Sequence, residues 1–210
     1  HKGFTINYTK IKQDATLDYE DFESKISKKT KMVCLSHVSN ITGTINDVKS
    51  LTKIAHENGS IVLVDGAQAA PHMKIDVQDL DADFYAFSGH KMLGPTGIGV
   101  LYGKKELLEN MPPFQGGGEM IKHVSYNKKG NCEISWSEVP GKFEAGTPNL
   151  PGIAGLLSAL DWICETGSEK IRRCEQELGG RLLEGLRGMK GLRIYGKDTM
   201  ASRLAVFAVN

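Results

Sequence analysis

Along the first hundred residues, apolar positions fall in short blocks that alternate between strand length and helical spacing. Residues 31–36 (Lys-Met-Val-Cys-Leu-Ser) form an apolar run of strand length. Val48, Leu51, Ile54 and Ala55 then share one helical stripe, opened by Asn46 or Asp47 as cap and closed by Asn58-Gly59. Residues 60–64 follow at once as a continuous apolar, β-branched run. Continuous rather than alternating hydrophobicity predicts a strand covered on both faces, as in a parallel sheet. Residues 84–87 and 98–102 predict two more buried strands. The first thirty residues predict a short strand and then an acidic helix, capped by Asp18, with Phe22 and Ile26 on one face. Strand, helix and strand at this pitch predict α/β layering.

The texture changes after Gly103. Residues 112–149 hold Pro112-Pro113, Gly116-Gly117-Gly118, Pro140-Gly141 and Gly146-Thr147-Pro148, which predicts long ordered loops, with Cys132 in one of them. Residues 153–165 predict an apolar helix entered through Pro151-Gly152. A second helix starts at Ser168-Glu169 and carries Ile171, Cys174, Leu178, Leu182 and Leu186 on one stripe. Its glycines at 179, 180 and 185 each cost roughly 1 kcal/mol against alanine, so packing must hold it. Residues 192–195 and 204–209 predict strands of a new sheet, the second running to the last residue, so the chain reads as a fragment. The expected division is residues 1–165 in a large domain and 166–210 opening a small α+β domain.

Charge narrows the function classes. With 26 Lys+Arg against 25 Asp+Glu the formal net charge is +1, which offers no basic excess for nucleic acid and no one-signed solvating tail. Hydrophobic residues at 40% and charged residues at 24% are globular proportions, enough for a real core. No uncharged apolar stretch reaches membrane-spanning length. The chain opens on His1 with no charged-then-apolar leader, and the spacing of Cys34, Cys132, Cys164 and Cys174 matches no zinc pattern. The expectation is therefore free thiols in the cytoplasm and no metal. Asn7 and Asn40 match the glycosylation triplet only as short chance patterns.

Two residues carry the candidate chemistry. Asp65 stands directly after the run 61–64, at the carboxyl end of a strand, where open α/β sheets bind ligands. Such a carboxylate can hold a protonated pyridine nitrogen, although an isolated aspartate there is most often a cap or turn residue. Lys91 lies in Ser88-Gly-His-Lys-Met-Leu-Gly-Pro-Thr-Gly-Ile-Gly99, on a tight loop just past a strand. Poor solvation of that loop favours a neutral amine able to form a Schiff base. Its neighbours are glycines, a hydroxyl and an imidazole, which suit close approach to a phosphate. The dinucleotide and GxxxxGK[ST] glycine patterns are both missing. An acid for a ring nitrogen and an amine for an aldehyde, both at strand ends, make the pair that pyridoxal phosphate needs.

Val64-Asp-Gly-Ala-Gln-Ala69, Phe87-Ser-Gly-His-Lys-Met-Leu-Gly-Pro-Thr-Gly97 and Phe143-Glu-Ala-Gly-Thr-Pro-Asn149 closely resemble the cysteine desulfurase/selenocysteine lyase family, within the class V aminotransferases. Ser36-His-Val-Ser-Asn40 and Gly116-Gly-Gly-Glu-Met-Ile121 extend the match, which runs in register from about residue 30 onward and is good to the group II desulfurases. The resemblance implies fold type I, the aspartate-aminotransferase architecture: an α/β large domain with a mostly parallel sheet. It implies that Lys91 forms the cofactor's Schiff base and then moves protons, that Asp65 pairs with the ring nitrogen, and that Gln68 bonds the phenolic oxygen. Ala67 packs on a ring face, Ser88 and His90 bind the phosphate, and Asn40 sits beside cofactor and substrate carboxylate. Thr147 reaches the phosphate of the neighbouring subunit, which implies a homodimer.

The implied reaction converts L-cysteine to L-alanine and leaves persulfide sulfur on the enzyme, for an acceptor protein in iron–sulfur assembly. In the family the persulfide cysteine and the arginine that grips the substrate carboxylate lie beyond the position of Asn210, so this chain alone is expected not to turn over cysteine. The rival readings are a selenocysteine lyase, aminotransferase or epimerase on the same cofactor, and a non-catalytic scaffold keeping the fold. The remaining features stay plain. His37, His56, His72 and His123 read as structural or exposed, and Gly116–Gly118 is as consistent with a simple turn as with a loop near the site.

Overall fold

The structure, a computed structural model, describes residues 3–210. Its central sheet contains β1 (Met32–Ser36), β2 (Ile61–Asp65), β3 (Phe84–Ser88) and β4 (Gly99–Gly103), in that spatial order. The first three are parallel and β4 is antiparallel to β3. Helices α1 (Tyr19–Lys25) and α2 (Val48–Glu57) cover one face. Phe22, Val48, Leu51 and Ala55 pack there against Val33, Val62, Val64 and Tyr85. Both helices start where the sequence predicts: the Asp18 carboxylate accepts the Asp21 N–H and the Asp47 carboxylate accepts the Ser50 N–H.

Three sequence expectations change. Val62 and Val64 are fully buried, but Ile61 and Leu63, pointing the other way, are only half-buried, so α1 and α2 seal one face of β2. β4 is an edge strand rather than a buried one, with Leu101 55% exposed. The strand expected near the start does not form among the described residues. Phe4, Ile6 and Tyr8 alternate as a strand would but stand largely exposed with no pairing partner. His1 and Lys2 lie outside the described residues.

A short helix, α3 (Lys105–Asn110), follows β4. The segment expected to be loops then folds into a hairpin, β5 (Ile121–Tyr126) with β6 (Cys132–Trp136). Asn127 closes its turn by accepting the N–H groups of Lys129 and Asn131. Cys132 therefore lies on a strand. Helix α4 (Leu150–Thr166) is capped by the Asn149 side chain, which accepts the Gly152 N–H. Helix α5 (Ser168–Arg187) tolerates Gly179 for a packing reason: a Cβ there would stand 2.5 Å from Met200 Cε and 2.9 Å from Ala205 Cβ. The two-residue strands β7 (Ile194–Tyr195) and β8 (Ala208–Val209) pair antiparallel, apart from the main sheet. Their neighbourhood is strapped back to the loop after β1, where the Leu204 N–H donates to the Gly43 carbonyl at 2.8 Å.

The end of the sheet opposite the strand carboxyl ends is held by Asp83. Its carboxylate accepts the Val62 N–H at 2.7 Å, bonds His56 Nε2 at 2.8 Å and pairs with Lys104 at 2.9 Å. Burial alone raises the Asp83 carboxyl, but the bonds from Lys104, His56 and Val62 outweigh it and hold it below the usual carboxylate value. Replacing Asp83 with Ala strands the buried Val62 N–H and leaves Lys104 and His56 with Asp81 as their remaining carboxylate. Chemical denaturation is expected to show a loss of about 2 kcal/mol. Because the folded carboxyl is depressed, this contribution is present above the unfolded pKa near 3.8 and is lost as pH falls below it.

Candidate active site at the strand carboxyl ends

Parallel pairing sets Ser36, Asp65 and Ala86 side by side across β1, β2 and β3. With neighbouring strands about 4.8 Å apart, whatever follows these residues converges on one edge of the sheet. β1 delivers the loop of Asn40, β2 delivers Asp65 and the turn of Ala67 and Gln68, and β3 delivers Ser88 and the turn Gly89–Met92 that holds His90 and Lys91. The register thus gathers the seven sequence-predicted residues of the first hundred at one site. Strand alternation puts Asp65, Ser36 and Ser88 on the face away from α1 and α2.

The polar side chains among them stand as follows. Asp65 Oδ1 accepts the Ala67 N–H at 2.9 Å, which fixes the carboxylate while Oδ2 has no protein partner among the described residues. Asp65 belongs to no ion pair among those residues, so its charge is available to an incoming cation. Ser88 precedes the Gly89–Met92 turn without capping it through its side chain. Lys91 is half-buried and His90 exposed. The lysine is therefore more open than a loop between two buried strands would make it, because β4, which follows, is an edge strand. Asn40 is exposed in a turn where the Gly43 N–H donates to the Ser39 carbonyl and Ser39 Oγ accepts the Thr42 N–H.

Thr147 is exposed on a loop further along the chain. Its loop is clasped to the Lys91 loop by Asn149, whose Nδ2 donates to the Gly97 carbonyl at 3.2 Å. The same Asn149 caps α4, and Gly155 of that helix lies against Pro95, where an added Cβ would come within 3.0 Å. Gly117 touches the loop from the other side: a Cβ there would stand 2.9 Å from the Gly146 nitrogen. The glycine triplet is thus part of the site's frame. The place of Asn149 before an apolar helix signals a cap in the sequence; its second bond, to Gly97, follows only from the tertiary contact.

An unpaired carboxylate, a nearby primary amine, a hydroxyl and a glycine-rich turn share the edge. Together they can hold a ring cation, condense with an aldehyde and bind an anionic group. No group of three metal-ligating side chains occurs among the described residues, and no helix among them is long and apolar enough to cross a membrane.

Known proteins resemble the chain in sequence and in fold. A probable cysteine desulfurase of Halalkalibacterium halodurans is 51% identical over 199 residues, covering 95% of this chain and 48% of the relative. The apo structure of a cysteine desulfurase from Thermococcus onnurineus superposes with a TM-score of 0.88 at 40% identity, over 97% of this chain and 50% of that one. A C-DES mutant with glycine covalently linked to its pyridoxal phosphate cofactor superposes at 0.74 with 29% identity, covering 85% and 47%. The chain spans about half the length of the curated relatives it matches. The fold is that of the fold-type-I pyridoxal phosphate enzymes. The model of the aminotransferase class-V family matches residues 1–210 throughout, and the chain belongs to that family.

Proposed function

We propose that the protein containing this chain is a pyridoxal phosphate-dependent cysteine desulfurase. The observation that carries the reading is the register of β2 and β3, which sets an unpaired Asp65 beside the strand that leads into Ser88 and Lys91. Bound at this edge, pyridoxal phosphate supplies an aldehyde for amines and a ring that accepts electron density from the substrate carbon.

With the cofactor bound, the Asp65 carboxylate would hold the proton on the ring nitrogen, and Gln68 would bond the phenolic oxygen from the turn beside it. Ala67 packs against a ring face. Ser88 and His90 hold the phosphate at the start of the Gly89–Met92 turn. Lys91 would be the amine that holds the cofactor's aldehyde, and its free amine would take and return a proton at the substrate carbon. Asn40 stands beside the substrate carboxylate. Thr147 serves the phosphate of a second subunit in a homodimer, with its loop held by Asn149.

In the net reaction the Cβ–S bond of L-cysteine breaks, the sulfur bonds to an enzyme thiol as a persulfide, and the proton that thiol gives up ends on Cβ, completing the methyl group of L-alanine. An acceptor protein then takes the sulfur for iron–sulfur assembly. Cys34, Cys132, Cys164 and Cys174 lie on β1, β6, α4 and α5 rather than on the loops of the site, so we assign the persulfide to a cysteine in the half of the relatives that this chain does not span. The four free thiols suit a cytoplasmic setting. In the same reading residues 1–165 belong to the large domain and 166–210 open the small one, which suits a β7–β8 pair separate from the main sheet.

Supplying the full-length protein with L-cysteine and a thiol reductant is expected to yield alanine and sulfide in equal amounts. Formation of a keto acid in place of alanine, or epimerisation alone, would assign the site to another class V chemistry.

A further inference from the structure

Asp65 projects from one face of β2, and its neighbours in sequence project from the other. On that second face Tyr85 stands beside Val64, and its ring runs toward the strand end across Gly66. A Cβ on Gly66 would fall 1.9 Å from Tyr85 Cε1 and 2.4 Å from the phenol oxygen, so no residue but glycine fits beneath the ring. Past Gly66 the Tyr85 hydroxyl meets His37 Nδ1 at 3.0 Å, with the rings edge to face. Both side chains are buried. The His37 N–H donates to the Asp65 carbonyl at 2.9 Å, and the Gly66 N–H donates to the Ala86 carbonyl at 2.8 Å. One side-chain bond therefore spans from β3 to β1 and crosses β2 at the peptide joining Asp65 to Gly66.

Resting on the cofactor reading above, we propose that the Tyr85–His37 pair, closed across Gly66, is a positioning device that fixes the strand end from which Asp65 meets the cofactor's ring nitrogen. Neither residue touches the cofactor, since both lie on the face opposite Asp65. Burial also leaves the pair uncharged, so it sets no second cation behind that carboxylate. Burial draws His37 down to about 4, and burial first, then the Asp65 charge, pushes the Tyr85 phenol up. Near neutral pH both partners are uncharged, and the Asp65 charge is left for the ring. The hydrogen bond fixes direction as well as contact: apolar packing at Gly66 could hold the ring, but only the bond to His37 ties β3 to β1.

The test uses the full-length protein, stripped of cofactor and reloaded with ring-15N-labelled pyridoxal phosphate. Tyr85→Phe keeps the ring over Gly66 and removes the bond; His37→Leu removes it from the other side. Both variants are expected to bind the cofactor about tenfold more weakly, equivalent to about 1.4 kcal/mol. The 15N shift is expected to report loss of the ring-nitrogen proton at a lower pH than in the parent. Wild-type affinity and wild-type 15N titration in both variants would reduce the pair to packing. A weaker Kd with an unchanged 15N titration would overturn the proposal equally, since general loosening does that. Circular dichroism of the cofactor-free proteins checks folding: if one variant fails to fold the other decides, and collapse of both would make the pair a fold-maintaining contact and sink the positioning role. Failure of the unmutated protein to bind the cofactor at all would count instead against the cofactor reading.

Discussion

Replacing Lys91 with Ala in the full-length protein is expected to abolish covalent attachment of pyridoxal phosphate and to lower kcat/KM for L-cysteine by roughly 10²–10⁴-fold, the scale on which a positioned proton-transfer group contributes. Stability should barely change. Lys91 is half-buried, makes no ion pair among the described residues, and sits on a turn held by backbone bonds such as Gly94 N–H to the Gly89 carbonyl. Substitutions at such positions usually stay within about 0.5 kcal/mol. Lys91→Arg separates charge from covalent chemistry. It keeps a cation at the turn, but a guanidinium does not lose its proton to attack an aldehyde, so it should be as inactive as the alanine variant. Steady-state kinetics and the visible absorption of the reloaded proteins check both. An arginine variant with substantial activity would mean that Lys91 acts only as a charge.

The second large effect is on acid stability and comes from His37. Its folded value, about 4, is depressed below the ordinary 6.5 by burial. As pH falls, the unfolded chain takes up the proton first, so folding is penalised progressively. The stability is fully present above about pH 6.5 and is lost as pH falls toward 4. The 2.5-unit gap corresponds to about 3 kcal/mol. The depressed carboxylates, Asp14, Asp21, Asp81 and Asp83, all start from 3.8 and move lower, so their losses come below pH 4, in a separate window. Urea denaturation of the cofactor-free protein between pH 7 and 4 should show the decline, and His37→Leu should flatten it even though its stability at pH 7 is lower. An equally steep decline in the variant would place the titrating group elsewhere.

How much of this was legible in the chain depends on whether a feature is local. Helix α2 and strands β1 to β3 show through because their apolar period and caps are short-range properties. The β5–β6 hairpin does not. Its apolar positions do alternate, with Val124 opposite Ile134, Tyr126 opposite Cys132 and Ile121 opposite Trp136, but that face is left exposed and the Pro and Gly around it read as loop. The edge position of β4 was hidden in the same way, since an apolar run does not say whether its far face is covered. In the site, Asp65 and Lys91 are visible because one ends β2 and the other lies in the turn directly after β3. The crossing at Gly66 is not, because Tyr85 lies within an apolar run where a tyrosine reads as core, and its partner is 48 residues away. The bond from Asn149 to Gly97 is hidden for the same reason, a separation of 52 residues.

The most direct test of the central claim is borohydride reduction of the full-length protein loaded with pyridoxal phosphate, followed by proteolysis and mass mapping. A reduced pyridoxyl phosphate adduct on Lys91 and on no other lysine is the predicted result. An adduct mapped elsewhere, or none on a folded and fully loaded protein, would contradict the assignment of this strand edge as the cofactor site.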